Sequence, residues 1–133
     1  MTHSGRRSVL MLGAVCMLGG CGLLSGCGEA PVLGGYQPRM VGNPATGKAL
    51  LESYGCGSCH VIPGIRTARG TFGPPLLFFS RRIMIAGELP NVPGNVVRWI
   101  ENPHAIEPGT AMPDLGVSDS KAHDMAAYLY TLH

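Results

Sequence analysis

Two cysteines and a histidine stand in one short run, Cys56-Gly57-Ser58-Cys59-His60. Thiols three positions apart on one turn can each add to a vinyl group, and the imidazole that follows can be directed at an iron. This is the C-x-x-C-H spacing by which c-type haem is attached. The same residues have other uses. Structural zinc needs two further ligands, and no second cysteine pair follows. A thioredoxin-like redox pair needs a βαβ setting, which the sequence lacks. A Cys56–Cys59 disulfide would close a strained small ring. One covalent haem c uses both thiols and the histidine, and is the expectation.

An iron held by His60 needs a sixth ligand or an open position. The methionines after the motif are Met84, Met112 and Met125. Met125 falls on the apolar stripe of a helix and Met84 lies between Ile83 and Ile85, so both read as packing residues. Met112 sits in Pro108-Gly109-Thr110-Ala111-Met112-Pro113, a loop whose course Pro and Gly restrict. It is the expected axial ligand. Among the histidines, His104 is its rival; His123 reads as solvent-facing and His133 ends the chain. His/Met ligation raises the reduction potential and closes both faces of the iron. That favours electron transfer over chemistry on a small-molecule substrate. His60 should donate its other ring N–H to a carbonyl. The rigid turn Gly73-Pro74-Pro75-Leu76 can offer one, from Pro74. Arg66, Arg69, Arg81 and Arg82 lie in the loop that must wrap the ring and are candidates for the haem propionates.

The elements that must position these groups come after an export segment. Arg6-Arg7 precede 17 uncharged residues, Ser8 to Leu24, which read as a signal peptide. Leu24-Ser25-Gly26-Cys27 has the pattern of a bacterial lipobox, so Cys27 is the expected lipidation site and residues 1–26 are expected to be removed. Cys21 is a weaker match, and an uncleaved membrane anchor is the alternative. Residues 27–42, rich in Gly and Pro, read as a flexible tether. A domain follows over 43–133. Asn43 and Pro44 start a helix that runs to Tyr54 and stops at Gly55. A long irregular stretch, with a short helix near Ile83–Gly87, leads to a helix over Asn95–Asn102. Ser118 is expected to cap a last helix, Asp119–Leu132. The fold class is all-α: three or four helices, long loops and no strand.

Composition agrees with a small domain short of its own core. The chain has 133 residues, 20 of them Gly and 11 Pro, with 14% charged. Its formal charge of +2 comes from Arg6 and Arg7; residues 27–133 hold eight Lys/Arg against eight Asp/Glu. A neutral chain without a basic run is not a nucleic-acid binder. A loop-rich chain of about 107 residues needs something apolar at its centre, which a haem supplies. Residues 61–90 carry four Arg against Glu88, while 91–133 carry Arg98 and Lys121 against five acids, an asymmetry able to orient a docking protein.

In this order the pieces resemble class I cytochrome c over about residues 43–133. They are Gly47-Lys48-Ala49-Leu50-Leu51, the haem motif, Gly73-Pro74, Trp99-Ile100-Glu101-Asn102-Pro103, Pro108 to Met112, and Asp124-Met125-Ala126-Ala127-Tyr128-Leu129. The resemblance implies the class I cytochrome c fold around one haem, with Leu51 and Tyr128 where the first and last helices cross. It also implies Met112 as axial ligand, Thr110 near a propionate and Trp99 beside the Met112 sulfur. The stretch Arg82 to Asn91 is similar to bacterial members found with terminal oxidases, which implies Arg82 and Asn91 near the propionates. The lysine ring of the mitochondrial members is absent, since only Lys48 and Lys121 occur. The expected function is a membrane-tethered one-electron carrier on the periplasmic side of a bacterial membrane. It would take electrons from a cytochrome bc-type reductase or a periplasmic dehydrogenase and deliver them to a terminal oxidase. A fixed electron-entry subunit, or a haem enzyme or gas sensor with an open sixth site, is the alternative.

Overall fold

The computed structural model describes residues 40–133; the expected signal peptide, the lipobox at Cys27 and most of the tether lie outside them. The fold is all-α apart from one minimal hairpin. Helices α1 (Pro44–Ser53), α2 (Pro93–Glu101) and α3 (Asp119–Leu129) are joined by long loops containing three single-turn 3₁₀ helices. Met40, the first described residue, already lies against the core, ahead of Asn43. Gly42, at φ +130°, passes so close to the His123 carbonyl that a side chain would collide with it.

Asn43 caps α1 as its type predicts: Oδ1 accepts from the N–H groups of Ala45 at 2.9 Å and Thr46 at 3.3 Å. Pro44 takes the first helical position, where a missing N–H costs nothing. The Asn43 N–H donates to Asp124 Oδ1 at 2.6 Å, tying the start of α1 to α3. The two helices cross at Gly47. A Cβ there would fall inside contact distance of the Asp124 carbonyl, so the backbones touch. Leu51, one turn on, is buried, and Ala122, Met125 and Ala126 of α3 are fully buried. Tyr128 donates its hydroxyl to the Pro63 carbonyl at 2.6 Å.

Three local expectations are corrected. The segment near Ile83–Gly87 is a hairpin, not a helix: β1 (Met84–Ile85) pairs antiparallel with β2 (Leu89–Pro90). Ala86 and Gly87 both have positive φ, +53° and +79°, which a mirror-image hairpin turn requires and a right-handed helix forbids. Helix α2 starts at Pro93, two residues early, because proline suits the first helical position. Helix α3 ends at Leu129, and Ser118 makes no capping bond with its hydroxyl. The chain turns after Leu129, and the Leu132 carbonyl accepts from Ser80 N at 3.1 Å and Ser80 Oγ at 2.8 Å.

Tyr130 closes the other side of the fold. Its hydroxyl donates to Asn91 Oδ1 at 2.8 Å, and its ring meets Phe79 edge-on. Burial pushes its phenol up to about 12. The folded state therefore holds this proton more tightly than the unfolded chain. The stability gained is complete below about pH 10, the ordinary tyrosine value, and is lost as pH rises toward about 12. Tyr130→Phe should cost about 1 kcal/mol in urea melts at pH 7. It should also weaken the loss of stability above pH 10, which melts at increasing pH would detect.

Candidate functional site

All three helices and the loops between them border one cavity of about 630 Å³ with a mainly apolar wall. Leu51 of α1 and Tyr54 at its C-terminal cap, Val96, Trp99 and Ile100 of α2, and Met125 and Leu129 of α3 form its helical side. Cys56, Cys59, His60 and Met112 all border it.

The cysteine run folds as a 3₁₀ turn, Cys56–Ser58, entered through Gly55 at φ +72°. Cys59 N and His60 N both donate to the Cys56 carbonyl, at 3.3 and 3.1 Å. The turn thereby sets two free, half-buried thiols on the same wall. Burial pushes the Cys56 thiol above its ordinary value. Gly57 is small for a reason outside the motif: a Cβ would lie 2.5 Å from Ala68 Cα, where the chain returns beneath the turn.

His60 Nδ1 lies 2.7 Å from the Pro74 carbonyl. A carbonyl only accepts, so Nδ1 carries the proton and Nε2 keeps its lone pair for a metal. Gly73 lies flat against the imidazole, where a side chain would strike the ring. Met112 is held through its backbone: its N–H donates to Thr110 Oγ1 at 3.2 Å. Glu107 sets that loop, accepting from Gly109 N at 2.9 Å through its carboxylate and from Thr110 N at 3.0 Å through its carbonyl. The sequence reading missed Glu107; its place just before Pro108-Gly109 was the available signal.

The arginines separate. Arg82 borders the cavity, donates to the Pro75 carbonyl and lies over the Phe79 ring at 5.6 Å. Arg66, Arg69 and Arg81 do not border it. Nor does Asn91, whose amide donates to the Phe79 carbonyl at 2.8 Å and the Arg82 carbonyl at 3.1 Å. It stands behind the wall and fixes the backbone of two residues that form it. Met84 is 42% exposed at the cavity edge, because the short hairpin leaves it uncovered; it is not a core residue. His104, His123 and His133 do not border the cavity. His123 is half-buried rather than solvent-facing, since the chain at Gly42 packs over its backbone.

Among the described residues no group of three or more His, Cys, Asp or Glu is placed to hold a metal ion by itself, which removes the zinc alternative there. The cavity suits a large flat apolar group with two thiols to fasten it and an imidazole to meet its metal. The family comparison agrees: the cytochrome c profile matches residues 44–133. The chain belongs to the cytochrome c family, as a class I member that carries covalent haem c. It is 35% identical over 89 residues, 65% of its length, to cytochrome c oxidase subunit 2 of Alkalihalophilus pseudofirmus. The chain spans a quarter (25%) of that protein. Cytochrome c2 from Rhodobacter sphaeroides shares the fold, with a TM-score of 0.52 and 18% identity over 69% of this chain and 97% of that one.

Proposed function

We propose that this cytochrome is a membrane-tethered one-electron carrier that delivers electrons to a terminal oxidase. The observation that carries the proposal is the shared cavity: Cys56, Cys59, His60 and Met112 all border it, and His60 is already oriented by Pro74. When bound, haem supplies an iron that takes up and returns one electron. Cys56 and Cys59 would fasten it as thioethers. His60 Nε2 and the Met112 thioether would hold the metal. Arg82 and Thr110 would hold the propionates, while Leu51, Trp99, Ile100 and Met125 would keep water from the wall. A site closed by two protein ligands exchanges electrons without admitting substrate.

Tethering through a lipid on Cys27, on the periplasmic face, fits the Leu24-Ser25-Gly26 pattern; several acyl chains hold a small domain at a bilayer stably. Among the described residues no helix is long and apolar enough to cross a membrane. Electrons would arrive from a cytochrome bc-type reductase or a periplasmic dehydrogenase. The relation to an oxidase subunit supports the direction of delivery and favours a second reading, a fixed electron-entry subunit of an oxidase. Co-purification in constant ratio with an oxidase would select that reading.

The test of the carrier is oxygen uptake by oxidase-containing membranes supplied with reduced protein. Uptake should follow the added cytochrome and stop with cyanide; no uptake would refute delivery to an oxidase. The thioether assignment has its own check. Haem should remain with the wild-type polypeptide in acidified organic solvent. It should become extractable in the double variant Cys56→Ala, Cys59→Ala.

A further inference from the structure

Eight large hydrophobic residues are exposed among the described ones, and six of them fall between Phe72 and Val92. Ile83 is 84% exposed, Phe72 78% and Phe78 57%. The segment is stitched into one lobe. Arg82 donates to the Pro75 carbonyl, Asn91 to the Phe79 and Arg82 carbonyls, and Asn91 N to the Ile83 carbonyl. The lobe also forms part of the cavity wall: Phe72 and Met84 are at once exposed and in that wall. Anything seated here lies against the site that holds the haem.

Phe78 has φ +51°, a left-handed backbone that costs an aromatic residue about 1–2 kcal/mol. Its neighbour Phe79 is buried in the cavity wall, whereas Phe78 gains little burial in return for the strain. Beside the apolar surface lie two cations. The Arg81 guanidinium covers the Phe78 ring at 5.5 Å, and Arg82 covers Phe79. Glu88 is the lobe's one acid. Exposed aromatics with arginine and few other charges have the composition of an interface core.

We propose that the Phe72–Val92 lobe is the docking face for a redox protein whose contact surface is apolar and edged with carboxylates. The proposal rests on the carrier reading above and names the chemistry of its partner. The carboxylates follow from Arg81, which is exposed and stands outside the cavity wall; a second copy of this chain would instead set arginine against arginine. Contact through Leu77, Phe78 and Ile83 supplies the affinity, and Arg81 steers the encounter.

The test is stopped-flow oxidation of the reduced, haem-loaded protein by a solubilised terminal oxidase. Ile83→Asp and Phe78→Asp carry the charge into the lobe; Asp tolerates the left-handed backbone at Phe78, so the fold should survive. Each should lower the second-order rate by about tenfold. Val41→Asp, an exposed apolar site outside the lobe, should stay within about twofold of wild type. Oxidation by a small uncharged quinone should be unchanged in all of them. Arg81→Gln should reduce the dependence of the oxidase rate on salt. Equal rates for wild type and the lobe variants overturn the docking face alone. Variants that keep the rate but lose binding to anionic phospholipid vesicles assign the lobe to a membrane and overturn it as well. Variants that keep the rate but abolish self-association in sedimentation assign it to a second copy, with the same result. Wild-type protein that the oxidase does not oxidise overturns delivery to an oxidase, and the docking proposal with it.

Discussion

Met112→Ala is expected to convert a closed site into an open one. The reduced variant should bind carbon monoxide stoichiometrically, and wild type should not. The reduction potential should fall, because a thioether is a soft donor that favours the ferrous iron, and axial ligands command a range of about 0.8 V. Optical spectra of the oxidised, reduced and reduced-plus-CO states read the first effect, and voltammetry reads the second. Met112→His should close the site again at a potential below wild type, which separates ligation from damage to the loop. The loop itself should persist in both variants, since Thr110 and Glu107 hold it through backbone groups. Spectra identical to wild type, with no CO binding, would remove Met112 from the iron and assign the sixth position to another side chain; CO binding by wild type itself would reopen the enzyme or gas-sensor alternative.

The second large effect is on stability and arises where two helices touch. Gly47→Val should destabilise the protein by about 3 kcal/mol or more, because the new side chain meets backbone rather than a movable side chain. Helices α1 and α3 would have to separate, exposing Leu51 and Ala122 and loosening Met125 and Leu129 on the cavity wall. A domain of this size should lose roughly 12–24 °C of melting temperature. Gly94 gives the contrast. It lies in the first turn of α2 with nothing within 4 Å of an added Cβ. Gly94→Ala should be neutral or stabilising by about 0.4–1 kcal/mol. Thermal melts of the two haem-loaded variants beside wild type decide the matter. Equal stability of Gly47→Val and wild type would mean that the helices do not cross there.

The local features of the site were legible in the sequence because they are local. Cysteine spacing, the Pro/Gly-restricted Met112 loop, the Asn43-Pro44 start and the offer of a carbonyl from Pro74 each lie within a few consecutive residues. Where the reading failed, the deciding contact was distant or depended on a turn. Ile83 to Gly87 has apolar residues enough for a helical turn, yet two positive φ values make it a hairpin. Position along the chain left four arginines as candidates, and only Arg82, the one the resemblance singled out, borders the cavity. Asn91 does not border the cavity itself; its amide accepts from Tyr130, 39 residues away, and donates to the Phe79 and Arg82 carbonyls, a network no local pattern announces.

The order of residues by itself determined the cofactor, its thiol anchors, the all-α class and the family, since covalent attachment requires a contiguous motif. Tertiary structure alone decided which side chains reach that cofactor and how closely the helices can approach. Gly47 is indispensable only because Asp124 lies against it, and Gly57 only because Ala68 passes beneath. Neither pairing is written in a local pattern: each is a steric condition set when distant parts of the chain close around one cavity.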